Sequence, residues 1–330
     1  SAFTTSLREP IAVVLIMLIV YVQLVVFSLN LEPIFVSIAL FYRALNSTLA
    51  FQAAFQATFD TIGSMELVDK EFQNQEKNQF NDGNKSSHVF KNKIIFKNVT
   101  FSYNEESKII LDSINLEIPY KKSIALIGKS GSGKTTIVDL LSYVIQPTKG
   151  TLLIDGVSLS NIKISTWRDQ IGYVSQDNII FDDTIANNIS MWQGNNKKES
   201  LDKIRKAAIK ANIIDFIDSL PEGLETKIGD RGVLLSGGQK QRIFIARELY
   251  RNPSVLILDE ATSSLDSESE NKIQQSINEL QGRTTLIIIA HRLSTIRNVD
   301  KIYLIDEGKI LDSGTFNELK SRSRSTFKRL

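Results

Sequence analysis

The run Ile11–Leu31 (IAVVLIMLIVYVQLVVFSLNL) holds 21 residues without a charge, and no other feature narrows the possible folds as far. At about 1.5 Å rise per residue, a helix of that length matches a hydrocarbon core of roughly 30 Å. A secretory signal would have a shorter apolar region followed by a small-residue cleavage site, and neither is present. The bland alternative is a helix buried in a soluble core; the reading taken is a membrane span over 11–31. Glu32 and Pro33 then interrupt the run. Proline lacks the donor that continues a helix and favours its first turn, so a tight reversal should lead into a second span over 34–60 that continues helically toward 68.

That second stretch is striped: Thr48, Gln52 and Gln56 recur at four-residue spacing beside Phe51, Phe55 and Phe59, with Arg43 as its one charge before Asp60. Polar groups at membrane depth face a bundle interior or an aqueous cavity. Arg43, Asn46, Thr48, Gln52 and Gln56 therefore either line a pathway or bond neighbouring helices, with Arg43 snorkelling. The phenylalanines read as packing. Two spans cannot enclose a transport route and the chain opens on Ser1, so residues 1–68 are expected to be a fragment of a larger transmembrane domain.

Beyond residue 60 the composition turns polar. With 39 basic against 37 acidic residues the net charge is +2, which gives no pull toward nucleic acid. The absence of cysteine excludes disulfides, thiolate metal sites and cysteine nucleophiles, and two histidines make a histidine-built metal site a poor prospect. The segment 69–93 (DKEFQNQEKNQFNDGNKSSHVFKNK) has the composition of a solvated connector. From 94 to 330, short β-like runs (IIFKNVTF, SIALIG, IGYVS, VLILDE, TTLIIIA, KIYLID) alternate with helical stretches, which predicts an α/β domain on a largely parallel sheet.

Two motifs in this domain carry chemistry. Gly128–Thr135 reads GKSGSGKT, directly after one strand-like run and before a helical one. Glycines let such a loop curl its amides toward phosphate oxygens, and the following helix N-terminus adds positive potential. The expected nucleotide contacts are Gly128, Ser130, Gly131, Ser132, Gly133, Lys134, Thr135 and Thr136, with Lys134 on the β- and γ-phosphates and Thr135 on Mg²⁺. Downstream, VLILDE sets Asp259 and Glu260 at the end of an apolar strand, where open α/β sheets bind ligands. Asp259 suits a Mg²⁺ role, and Glu260 suits a general base for an attacking water.

Between them lies LSGGQ, Leu235–Gln239. With it, residues 94–330 resemble the nucleotide-binding domain of ABC transporters, and the whole chain resembles the C-terminal portion of an exporter. The resemblance implies an α/β P-loop NTPase domain with an antiparallel β subdomain and a helical subdomain, ATP and Mg²⁺ as ligands, and a site shared between two copies. In that site Ser236, Gly237, Gly238 and Gln239 of one subunit face the nucleotide held by the other's phosphate loop. It further implies that Tyr103 stacks on adenine, that Gln176 senses Mg²⁺ and the attacking water, that His291 is the switch contacting the γ-phosphate, and that Asp266 communicates across the dimer. TKIGDRG (Thr226–Gly232) and DDTIANNI (Asp182–Ile189) look like exporter-type segments; Asp230 stands where glutamate is common, and SSLD replaces SALD.

The resulting expectation is an ATPase coupled to export or flipping, multi-pass in the cell membrane with its nucleotide domain in the cytoplasm. Its partners would be a second copy of itself or a related subunit, membrane lipid and a transported substrate, with no nucleic acid. Lipid, lipid-linked oligosaccharide, peptide and drug all remain open as substrates. One rival, a soluble ABC-type ATPase acting on ribosomes or nucleic acid, has no use for a membrane hairpin. The other, a module that binds nucleotide without turning it over, has no use for Glu260, Gln176 and His291.

Overall fold

The computed structural model describes residues 2–27, 31–77, 83, 88–103, 108–176, 178–193, 197–259, 267–290 and 292–322. The chain divides into two compact units, Ser1–Phe80 and Asn81–Leu330.

The first unit is helical. Helix α1 (Ala2–Tyr21) carries Pro10 inside it and runs on as a π-helical turn, Val22–Val26, closed by the Phe27 N–H on Val22 O at 3.2 Å. Helix α2 (Leu31–Lys77) has 47 residues and is therefore about 70 Å long. Pro33 falls in its first turn, where a missing N–H has no intrahelical partner to lose. Among the described residues one helix is long and apolar enough to cross a membrane, over Ile34–Gln73; the apolar part of the first helix, Pro10–Val26, is shorter. Of the two helices that carry the expected spans over 11–31 and 34–60, the second alone meets that length among the described residues. Apolar composition runs on to Leu31, but the described helix closes at the π turn, and residues 28–30 lie outside the described residues.

On α2, Phe51, Phe55 and Phe59 are exposed; Phe51 stacks on Phe55 with ring centroids 6.1 Å apart, and the Phe55 and Phe59 rings meet tilted at 4.7 Å. Apolar side chains without cover suit a hydrocarbon solvent, where only the backbone needs internal partners. Thr48 donates its hydroxyl to Ala44 O at 2.9 Å, a bond within its own helix.

The expected connector over 69–93 is corrected at both ends. Helix α2 continues to Lys77, because Glu, Gln and Lys are good helix formers, and an i,i+4 bond from Gln73 to Asp69 at 2.8 Å supports it. At the other end, Phe90 is already fully buried, its ring edge-on to Tyr120 and Trp167 and its N–H on Gln170 Oε1 at 2.9 Å. A large aromatic anchors the chain to the second unit before the first strand begins.

The second unit has ten described strands: β1 (Lys93–Phe101), β2 (Leu111–Pro119), β3 (Ser123–Ile127), β4 (Lys149–Ile154), β5 (Val157–Ser158), β6 (Ile171–Val174), β7 (Val255–Asp259), β8 (Thr285–Ile289), β9 (Lys301–Asp306) and β10 (Lys309–Gly314). Four of them form an antiparallel sheet in the order β2-β1-β4-β5. The other six form a mostly parallel sheet in the order β10-β9-β3-β8-β7-β6, with only the β9–β10 hairpin antiparallel. Every residue of β3, β7 and β8 is buried, as continuous apolar runs in a sheet covered on both faces require.

Around the sheets lie α3 (Lys134–Leu141), α4 (Ile164–Arg168), α5 (Ile185–Ser190), α6 (Lys197–Lys210), α7 (Ile214–Asp218), α8 (Gly237–Tyr250), α9 (Ser267–Leu280), α10 (Leu293–Ile296) and α11 (Phe316–Arg322). Helices α5, α6 and α8 pack together as a helical layer. One core joins these helices to one face of the parallel sheet; the other lies between the two sheets and holds α3 and the fully buried Trp167. The Trp167 indole is satisfied there by Leu141 O at 2.7 Å.

Candidate nucleotide-binding site

Because β3, β6, β7 and β8 run parallel, their C-terminal ends reach one edge of the sheet. That edge gathers the loop after β3, Asp259 at the end of β7 and Gln176 just after β6. Ligands of open α/β sheets bind at such an edge.

The loop after β3 is shaped by close approach. A Cβ on Gly128 would overlap Ile305 O of the neighbouring strand β9, and one on Gly133 would meet Leu111 Cδ2 at 2.5 Å. Gly131 and Gly133 have φ of 76° and 104°, which side chains rarely adopt. Behind the loop, the β9–β10 turn acts as a strut: the Gly308 N–H donates to Ser132 O at 3.2 Å, and the Asp112 N–H to Gly308 O at 2.9 Å. In front of it is a pocket of about 250 Å³ lined by Ile110, Ser130, Gly131, Gly133, Lys134, Thr135, Thr136 and Ile289.

Lys134 opens α3 and is buried; its ammonium donates to Gly128 O at 2.9 Å and Lys129 O at 2.8 Å, curling the loop round its own cation. Ser132 Oγ is buried and has no hydrogen-bond partner among the described residues. An orphaned hydroxyl, a buried ammonium and a glycine loop at a helix N-terminus fit a phosphate group, whose oxygens accept from all three. Thr135, exposed toward solvent, offers the hard oxygen a divalent cation prefers.

Asp259 is 7% exposed and accepts a hydrogen bond from the Tyr173 hydroxyl at 3.2 Å. Burial, with the adjacent Asp259 charge and hydrogen bond, pushes the Tyr173 phenol well above its ordinary range, so it remains a neutral donor. Gln176 is exposed beyond β6. Tyr103 is 61% exposed, its ring edge-on to Phe101 at 5.0 Å. Glu260, Asp266 and His291 lie outside the described residues.

The LSGGQ segment opens α8. Ser236 is its N-cap within a capping box, with Ser236 Oγ accepting from the Gln239 N–H at 3.3 Å and Gln239 Oε1 from the Ser236 N–H at 2.8 Å. Ser236 and Gly237 are exposed, while Gly238 is buried against Ser269 of α9, which leaves no room for a Cβ. Just before them, Val233 and Leu234 are 76% and 71% exposed, apolar side chains left uncovered beside the loop.

Two contributors were not singled out from the sequence: Tyr173, and Gly308 in its strut. Both act through cross-strand register, which a local pattern does not encode.

The ABC transporter family model matches residues 111–263. The chain is 45% identical over 242 residues to an "ATP-dependent lipid A-core flippase" of Ralstonia nicotianae, an alignment covering 73% of this chain and 41% of that protein. It is 38% identical over 319 residues to the "Heterocyst differentiation ATP-binding protein HepA" of Nostoc, covering 95% of this chain and 51% of that one. Among solved structures, a "bacterial Atm1-family ABC exporter with ATP bound" superposes with a TM-score of 0.70 at 32% identity, covering 91% of this chain and 51% of that one. The chain thus spans about half, or less, of the length of these relatives.

Proposed function

Because this chain belongs to the ABC transporter family and is of the exporter type, we propose that it is the C-terminal portion of an exporter subunit in which ATP binding and hydrolysis, at sites shared by two copies, drive a lipid-like substrate across the membrane. The phosphate loop carries the reading: Gly131, Gly133 and Lys134 line one pocket at the ligand edge of a parallel sheet, and the orphaned Ser132 hydroxyl is buried in the same loop.

On ATP binding, Lys134 exchanges its two loop carbonyls for phosphate oxygens, and the loop amides and Ser132 hydroxyl accommodate the remainder. Thr135, Gln176 and Asp259 would hold Mg²⁺, which when bound neutralises charge on the phosphate oxygens. Glu260 takes the proton of the attacking water, and His291 orients the terminal phosphate. Tyr103, an exposed ring, provides the stacking face for adenine. Ser236 and the amides of Gly237 and Gly238, at a helix N-terminus, complete the site of a second copy, with Asp266 linking the two. Since one chain carries both the base and the LSGGQ loop, a homodimer is the simplest assembly. Closure of the dimer turns the membrane helices and release reopens them, with the nucleotide domain in the cytoplasm.

The lipid assignment rests on the similarity to flippases and on the polar residues of α2. Full-length protein in liposomes tests it, with ATP turnover measured across lipid and glycolipid classes. The catalytic assignment is tested by Glu260→Gln, which should nearly abolish turnover while nucleotide still binds; undiminished hydrolysis would refute Glu260 as the base.

A further inference from the structure

Strand β6 is the edge strand of the parallel sheet and pairs with β7 so that Tyr173 stands opposite Ile257. Side chains alternate along a strand, so Asp259, two residues beyond Ile257, shares its face and lies diagonally across from Tyr173. A long aromatic side chain reaches a diagonal neighbour. Here the phenol does so, and its hydroxyl donates to Asp259 Oδ2 at 3.2 Å.

The strand that carries this donor is itself held. The Tyr173 N–H, on the unpaired side of the edge strand, donates to Glu248 Oε2 of α8 at 3.3 Å. Beside it Gly172 is boxed in, so that a Cβ there would stand 3.1 Å from each of Glu248 Cβ, Leu256 Cδ1 and Pro253 Cγ. The Tyr173 ring packs against the core between the two sheets. A donor fixed at its backbone and at its ring restricts rotation of the carboxylate it bonds. Divalent cations are sensitive to such rotation, because the partners of their ligands set ligand orientation and basicity.

We propose that Tyr173 is a positioning residue for the divalent cation: its hydroxyl, reaching across from β6, fixes the Asp259 carboxylate in the orientation that binds the metal. This rests on the reading of Asp259 as a Mg²⁺-holding group. The hydroxyl is distinct from every group assigned above, and it acts on the metal through Asp259 without touching the nucleotide. A merely structural hydroxyl, filling the needs of a buried carboxylate, would affect stability and nucleotide binding with or without a cation. A positioning hydroxyl affects the cation selectively.

The experiment uses the full-length protein in lipid nanodiscs with Mn²⁺ as the probe. Mn²⁺ affinity is read by electron paramagnetic resonance in the presence of a non-hydrolysable ATP analogue, and analogue affinity is read separately in EDTA. Tyr173→Phe keeps the ring and removes only the donor. It should weaken Mn²⁺ binding about tenfold, the low end of what loss of a ligand's partner costs, and leave analogue affinity in EDTA unchanged. Asp259→Asn should weaken Mn²⁺ binding at least as much, and adding Tyr173→Phe to it should weaken it no further. Wild-type Mn²⁺ affinity in Tyr173→Phe, or an equal loss of analogue affinity in EDTA, overturns the proposal while Asp259 keeps its role. Wild-type Mn²⁺ affinity in Asp259→Asn removes the Asp259 reading itself and the proposal with it.

Discussion

Gly238 offers a sharp test of why a glycine stands at the second position of α8. A Cβ there would come closer than 3.0 Å to both Cβ and Oγ of Ser269, with Ser269 Cα at 3.5 Å. The Ser269 Oγ could rotate away, but its Cβ, 2.4 Å from the added atom, is fixed to the α9 backbone, so relief requires α8 and α9 to separate. Overpacking of this kind costs about 1–3 kcal/mol, and a backbone-borne clash belongs in the upper half. Helix propensity returns up to about 1 kcal/mol for Gly→Ala, leaving a net loss of about 1–2 kcal/mol. Ser269→Gly removes both overlapping atoms and costs about 0.5 kcal/mol alone, so the double variant should be within about 1 kcal/mol of wild type, a coupling of roughly 2 kcal/mol. Both tryptophans of the chain, Trp167 and Trp192, lie in the second unit, so urea-induced loss of their fluorescence reports this unit alone. Unchanged stability in Gly238→Ala, or a cost that Ser269→Gly does not relieve, would refute the packing argument. ATP turnover adds a discrimination. If the double variant regains stability but not turnover, Gly238 is needed for approach to phosphate rather than for the α8–α9 contact.

Gly128→Ala should reduce nucleotide affinity at least tenfold by equilibrium binding, because the added methyl meets Ile305 O, a backbone atom that cannot move aside; wild-type affinity would show that the loop opens without it. Burial holds the Glu248 carboxyl above its ordinary 4.5, only partly offset by the Tyr173 N–H and the Arg251 and Arg247 charges. A raised carboxyl pKa means the folded state binds its proton more tightly than the unfolded chain, so stability falls as pH rises from about 4.5 through the raised value. In a urea series from pH 4 to 8, Glu248→Gln should lack that part of the decline; parallel profiles would remove Glu248 as its source.

The fold class was legible because the central strands are short continuous apolar runs, rich in β-branched residues, of the kind a doubly covered sheet buries. SIALIG, VLILDE and TTLIIIA became β3, β7 and β8 with every strand residue buried. The order β10-β9-β3-β8-β7-β6 was not legible, since strand adjacency depends on crossovers rather than local pattern. The same limit hid the Tyr173–Asp259 bond, which joins residues 86 positions apart. The misplaced connector has a different cause. Its Glu, Gln and Lys residues are as much at home on a solvated helix as in a coil, so polarity alone could not say that α2 would run to Lys77. Phe90 was passed over because one aromatic in a polar segment has no periodicity to mark it, although its burial is complete.

The phosphate loop illustrates how little of a site need be assembled by its ligand. A buried ammonium must have acceptors, and Lys134 finds them in the carbonyls of Gly128 and Lys129. Those bonds hold the loop curled, with the β9–β10 turn behind it and Ile305 O leaving no room at Gly128. A phosphate entering the pocket therefore meets a loop already curled and has only to replace carbonyl acceptors with charged oxygens, a change from neutral to charge-assisted bonds of about twice the strength. The cost of ordering the loop has been met in folding, so most of that difference is available to hold nucleotide. Selectivity for a charged ligand follows from the same geometry, because a neutral group displacing those carbonyls would leave the buried ammonium with weaker partners than it gave up.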